Sequence, residues 1–153
     1  MPSLTDFMSR HGWYLGKRST PAHVWLYRRS GGRVGGHYPG RKDCRVGLVD
    51  HQGVKSGVQR TSPMFYLDDG PSIVVVASRA GHPSHPAWFQ NLMAHPETTV
   101  QVGREVREVR ARVADDAERD RLWPRLTAMF PPYEIYERNA KPRELPIVIL
   151  EPR

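Results

Sequence analysis

Short apolar runs, most of them bounded by glycine, proline or aspartate, recur along the chain from residue 45 onward. Their length and β-branched content predict strands over residues 45–50, 61–67 and 72–78, joined by the turns "GVKSG" and "DDG". Two more strands are expected over 98–102 and 106–113, and a closing one in "LPIVIL" (145–150). Helical signals fall elsewhere. Residues 3–15 carry Ser3 and Asp6 at capping-box spacing, and residues 21–30 start at Pro21 and end at the glycine-rich "GGRVGGHYPG". Residues 86–94 open on Pro86, which suits a first helical turn. "DDAERDRLWPRLTAMF" predicts a helix capped by Asp115 and Glu118, which Pro124 should kink or divide, and "PPYEIYERN" adds a further turn or two. The pattern is α+β, mainly antiparallel β: short strands wrapped into a barrel with helices between some of them.

One stretch does not reduce to packing. After the run Ile73 to Ala77, a Gly/Pro/His loop leads to Pro86-Ala87-Trp88-Phe89-Gln90-Asn91, two adjacent aromatics followed by two adjacent amides. Neighbours on a helix point about 100° apart, so one aromatic can enter the core while the other faces something else.

With 153 residues, 39% hydrophobic and 25% charged, the chain fits one soluble domain. It has no apolar run near the roughly 20 residues that span a bilayer, and no signal-peptide core. The single cysteine, Cys44, excludes an internal disulfide, so a cytoplasmic location is expected. The net charge of +7 points to an anionic partner: nucleic acid, an acidic membrane surface or a polyanionic small molecule. The basic residues are scattered, without the block that marks a nucleic-acid-binding arm.

"GGRVGG" lacks both the spacing and the preceding strand of a dinucleotide fingerprint. "VKS" at 54–56 is not a phosphate loop, because Val54 stands where glycine is required. Still, residues 53–57 form a tight turn with amides, Lys55, the Ser56 hydroxyl and nearby Arg60, a set that suits a phosphate as well as it suits a solvated hairpin. His82 and His85 lack further ligands, so no metal is expected. Cys44 has no partner for nucleophilic chemistry. Tyr133 and Tyr136, three apart, would share a helix face; by themselves they fit packing or a site equally.

The ordered segments "GVKSGVQRTSPMFYL", "IVVVASRAGHPSHPAWFQNLMAHPETTVQVG", "RLWPRLTAMFPPYEIYE" and "ELPIVILEP" resemble the deazaflavin-dependent nitroreductase family over residues 24–153. "ASRAG", "HPAWFQNL" and "LWPRL…PPY" are the most specific of these matches. The resemblance implies a split β-barrel, FMN-binding-like, with flanking helices, and an oxidoreductase that uses reduced coenzyme F420 on a quinone or nitroaromatic acceptor. It implies that Lys55, Ser56 and Arg60, with Val54 in the same turn, hold the phosphate and acidic tail. Ser62, Pro63 and Met64 would line the barrel side of the pocket. Ala77, Ser78 and Arg79 would approach the ring, and Ala87, Trp88 and Asn91 would close it from the helix. Tyr133 and Tyr136 resemble substrate-side tyrosines, with Ser78 orienting ring or substrate. A polyanionic cofactor also accounts for the net charge without nucleic acid.

The sequence departs from the family at "LVDHQGV", where Asp50 and His51 replace hydroxyls and Val54 replaces an arginine. Phe65, Phe89 and Phe130 stand where tyrosine is common. An FMN-dependent relative, a basic nucleic-acid module and a cofactor carrier without turnover remain alternatives. Residues 1–30 read as a helical segment preceding the barrel domain at 31–153. Phe7, Met8, Trp13, Tyr14, Leu15, Val24, Trp25, Leu26 and Tyr27, interleaved with cations, suit either an anionic membrane interface on the inner face of the cell membrane or packing on the barrel.

Overall fold

The computed structural model describes residues 20–153; the helix expected over 3–15, with the aromatic residues of that stretch, lies outside them. Seven strands follow in order: β1 His37–Tyr38, β2 Arg41–Gln52, β3 Gln59–Asp69, β4 Ser72–Val76, β5 Glu97–Val102, β6 Glu105–Val113 and β7 Ile147–Pro152. Helix α1 covers residues 20–30, α2 Ala87–Ala94, α3 Asp116–Met129 and α4 Pro132–Ala140. Every pairing is antiparallel, in the order β1-β2-β3-β4-β7-β6-β5. A further β2–β5 pairing, Leu48 opposite Gln101 and Val49 opposite Val100, closes β2 to β7 into a six-stranded barrel. The expected barrel is therefore the observed one.

Strands β4 and β7 explain the two greasiest runs. Ile73, Val75, Val148 and Leu150 pack with Val49, Leu92 and Val100, whereas Val74, Val76, Ile147 and Ile149 pack with Leu122, Leu126 and Tyr133. A strand covered on both faces reads as a continuous hydrophobic run instead of an alternation. Helices α3 and α4 thus cover the outer face of these strands, and α2 contributes Leu92 to the other cluster.

Helix α3 starts at the expected capping box: Glu118 N–H donates to Asp115 Oδ1 at 2.8 Å and Asp115 N–H to Glu118 Oε1 at 3.1 Å. It runs through Pro124 as one helix, so of the expected kink or division the division does not occur. Asp120, whose carbonyl would have accepted the missing Pro124 N–H, is exposed, so water can serve it. Strand β4 stops at Val76, which leaves Ala77 and Ser78 to the loop, and Pro86 caps α2 from outside the helix. Helix α1 lies on the barrel: Tyr27 is 1% exposed among Val46 and Leu48, and its hydroxyl accepts from Gly103 N–H at 2.8 Å.

Candidate active site

The turn between β2 and β3 is built around Gly53. Its N–H donates to Val58 O at 3.0 Å, and Gly57 N–H, at a φ of +68°, donates back to Gly53 O at 2.9 Å. A Cβ on Gly53 would sit 2.4 Å from Ser56 Oγ, so a side chain there would turn the Ser56 hydroxyl away. Ser56 Oγ accepts from Val58 N–H at 3.2 Å. The amides of Lys55 and Ser56 keep no partner among the described residues, and the side chains of Lys55 and Arg60 are exposed without an ion pair there. Many other arginines are tied to carboxylates, such as Arg112 to Glu118 and Glu151 and Arg121 to Asp69. Free amides beside unneutralised cations are the groups from which anion sites can be built.

Below the turn lies a buried polar chain. His51 is 5% exposed and Asn91 7%. Val54 N–H donates to Asn91 Oδ1 at 3.3 Å, Asn91 Nδ2 meets His51 Nδ1 at 2.9 Å, and His51 Nε2 meets Ser62 Oγ at 2.8 Å. Burial, then the Arg60 charge, push the His51 imidazole below its ordinary value, which favours the neutral ring. Asn91, expected to close the cofactor ring, reaches the Val54 amide in the turn.

The loop after β4 is held from the far end of the chain. Arg143 donates from Nη1 to Ala77 O at 2.9 Å, from Nη2 to Ser78 O at 2.8 Å and from Nε to His82 O at 3.0 Å. Arg79 and Ala80 adopt φ of 45° and 51°, a region that L-residues occupy only when their surroundings impose it. Arg79 also reaches Ser84 Oγ. Gly81, at φ +80°, lies so close to α4 that a Cβ would meet Tyr136 Cα and O at 2.9 Å. His85 packs on Phe89 with the rings tilted and their centroids 4.8 Å apart, and accepts from Arg143 Nη1 at 3.2 Å. Trp88 touches Phe89 edge-on at 6.4 Å, and both pack, with Met64, on the cluster that holds Leu92.

An aromatic wall completes the set. Phe65 and Phe130 are 4.9 Å apart, Tyr38 lies 5.9 and 6.0 Å from them, Tyr133 is 5.0 Å from Phe130, and Tyr136 is 6.4 Å from Tyr133. Tyr133 is only 4% exposed; its hydroxyl has no hydrogen-bond partner among the described residues and is not among the side-chain atoms sealed from solvent there. Burial raises its pKa strongly, so it keeps its proton. Tyr136 is raised in the same direction, first by burial and then by Tyr38.

Part of the expected set is joined, through neighbours outside it. Val54 meets Asn91, Trp88 and Phe89 continue along α2, His85 meets Arg143, Arg143 holds Ser78, and Gly81 abuts Tyr136 beside Tyr133. Ala77 is fully buried and takes part only through its backbone. Ser62 faces His51, and Ala87 is exposed. His51 and Arg143 were missed as structural parts of the site. His51 had been marked only as a departure, and an arginine between Pro142 and Glu144 carries no local signal. A cavity of about 330 Å³ opens behind Arg143, lined also by Arg119, Asp116 and Glu144; none of the expected site residues borders it.

Residues 19–152 match the family model described as F420H(2)-dependent quinone reductase. A Mycobacterium tuberculosis protein described as an F420H(2)-dependent quinone reductase is 37% identical over 113 residues, 74% of this chain and 94% of that one. The solved structure of an F420-H2 dependent reductase (FDR-A) is 33% identical and superposes with a TM-score of 0.63, covering 69% of this chain and 93% of its own. Another solved chain, described as a domain-swapped dimer, is 28% identical with a TM-score of 0.65, covering 86% of this chain and 100% of its own. Its barrel and its match over nearly the whole described length agree: the chain belongs to the F420H(2)-dependent quinone reductase family.

Proposed function

We propose that this reductase passes a hydride from reduced coenzyme F420 to a quinone held against the aromatic wall, with nitroaromatics as further acceptors. When bound, the deazaflavin supplies the hydride; the chain supplies binding, orientation and a proton-bearing hydroxyl. The observation that carries the reading is Tyr133, a phenol only 4% exposed whose hydroxyl has no protein partner among the described residues and so stays available to a ligand. Because its pKa is raised, Tyr133 acts by donating a hydrogen bond to the acceptor oxygen that gains charge. Tyr136 flanks it, and Ser78, its carbonyl fixed by Arg143, orients ring or substrate.

At the other end, the free amides of Lys55 and Ser56 with the side chains of Lys55 and Arg60 fit the cofactor's phosphate and acidic tail. Pro63 and Met64 on β3 and Trp88 on α2 then flank the ring, with Trp88 excluding water. The test is F420H2 oxidation by a quinone such as menadione, together with titrations of coenzyme F420 and FMN. Turnover and a preference for F420 support the reading; FMN binding of equal affinity overturns it.

Helix α1 supports a membrane contact for a quinone that lives in a bilayer. Trp25 is 62% and Leu26 42% exposed, with Arg29 exposed beside them. No helix among the described residues is long and apolar enough to cross a membrane. Sedimentation with anionic vesicles tests the contact: a full chain that stays in the supernatant at low salt has none.

A further inference from the structure

The buried chain Ser62–His51–Asn91–Val54 has its hydrogen-bond direction fixed by one group. The Val54 N–H can only donate, so the Asn91 amide must turn its oxygen to Val54 and its Nδ2 to His51. His51 Nδ1 must then accept, the ring proton sits on Nε2, and Nε2 donates to Ser62 Oγ. Every link is satisfied only while the ring is neutral.

A second proton on His51 breaks this chain whichever way Asn91 turns. With the amide as it stands, Nδ1–H and Nδ2–H face each other as two donors 2.9 Å apart. With the amide flipped, its oxygen satisfies His51 but its NH2 faces the Val54 N–H. The conflict therefore moves to the turn instead of disappearing. Two charged groups act on the ring: Asp50 before it on β2 and Arg60 opposite it on β3. Helix α2 brings no ionisable side chain. Asp50 is itself held by Arg28, Thr61 and Thr99, away from the ring.

We infer that His51 is a positioning residue: neutral, it sets the Val54–Ser56 turn through Asn91 for the cofactor's anionic end, and protonated it releases the turn and weakens cofactor binding. This rests on the reading that the turn takes that anionic end. Neither residue touches the reacting atoms, so the effect belongs to affinity and not to the chemical step.

Two measurements separate the inference from that reading. In the cofactor-free protein, ¹⁵N–¹H spectra are followed between about pH 8 and about pH 4, a range that brackets imidazole titration. The Val54 amide is expected to shift with the same midpoint as the His51 ring, and His51→Asn is expected to abolish that shift. A Val54 amide indifferent to the His51 titration overturns the relay. Calorimetric titration with coenzyme F420 over the same range is expected to show affinity falling about tenfold on acidification, the worth of one hydrogen bond, beyond any fall in His51→Asn. Both proteins meet the same cofactor ionisation, so the difference reports His51 alone. Parallel affinity profiles in the two proteins overturn the inference even if Val54 moves. No F420 binding at any pH overturns instead the functional reading, while the Val54 spectra still decide the relay.

Discussion

The two ends of the site are built by opposite means. At the β2–β3 turn the groups aimed outward are exposed, and hydrogen bonds from below set their position: Gly53, Ser56 and Asn91 leave Lys55, its amide and Arg60 free. At the aromatic wall position comes from packing, and Tyr133 sits within the same cluster as Leu122, Leu126 and Ile147. An exposed charged turn suits a solvated polyanion, whose affinity comes from charge-assisted bonds. A buried phenol suits a step in which charge develops away from water, where one aimed donor is worth most. Binding and reaction should therefore be separable by mutation.

The largest expected effect is on the buried end. Tyr133→Phe should lower quinone turnover by about 10²–10⁴, the range for losing one donor to developing charge. Stability should hold, since the hydroxyl removed has no partner among the described residues. Thermal unfolding beside the rate assay checks both.

At the exposed end, Lys55→Ala with Arg60→Ala should weaken F420 affinity by about 2–4 kcal/mol, at roughly 1.5–3 kcal/mol per charge-assisted bond less the screening of exposed charges. The loss should shrink as salt is raised, and an affinity unmoved by salt would place the tail elsewhere.

Between the two ends, Arg143→Ala should cost about 1–3 kcal/mol in stability, the range for stranding buried carbonyls. Arg143→Lys should restore little, because one ammonium cannot reach the Ala77, Ser78 and His82 carbonyls from three sides as the guanidinium does. Denaturant unfolding measures both variants.

The smallest effect is on pH. Burial first, and then Arg60 for His51 and Arg143 for His85, hold both imidazoles below 6.5. The unfolded chain then takes up protons first, so stability should be full above about pH 6.5 and decline as pH falls from there toward the folded values. His51→Asn should flatten part of that slope, and an unchanged slope would show that His51 does not carry it.

What was legible in the sequence follows the same division. The barrel was readable because β4 and β7 are buried on both faces and β5 and β6 are short and bounded by turns. The capping box of α3 was readable because it is local. The turn at 53–58 was readable because glycine, lysine and serine stand together. The buried relay was not: His51 and Asn91 are forty residues apart, and only the seating of α2 beside β2 joins them. Arg143 lies 65 residues from Ser78, and nothing near it in sequence points there. Tyr133 was readable as a candidate, but its burial was not, since the hydroxyl's isolation depends on how α3 and α4 cover the sheet. Proline inside α3 did not divide the helix, and the residue whose carbonyl it leaves without a donor, Asp120, is exposed.

The separation of the two ends is tested most directly by measuring F420 affinity and saturated quinone turnover on the same two variants. Tyr133→Phe is expected to keep wild-type affinity and lose turnover. The Lys55→Ala, Arg60→Ala protein is expected to lose affinity and keep turnover once F420H2 is raised to saturation. If each variant loses both quantities together, the two ends act as one unit and the account is wrong.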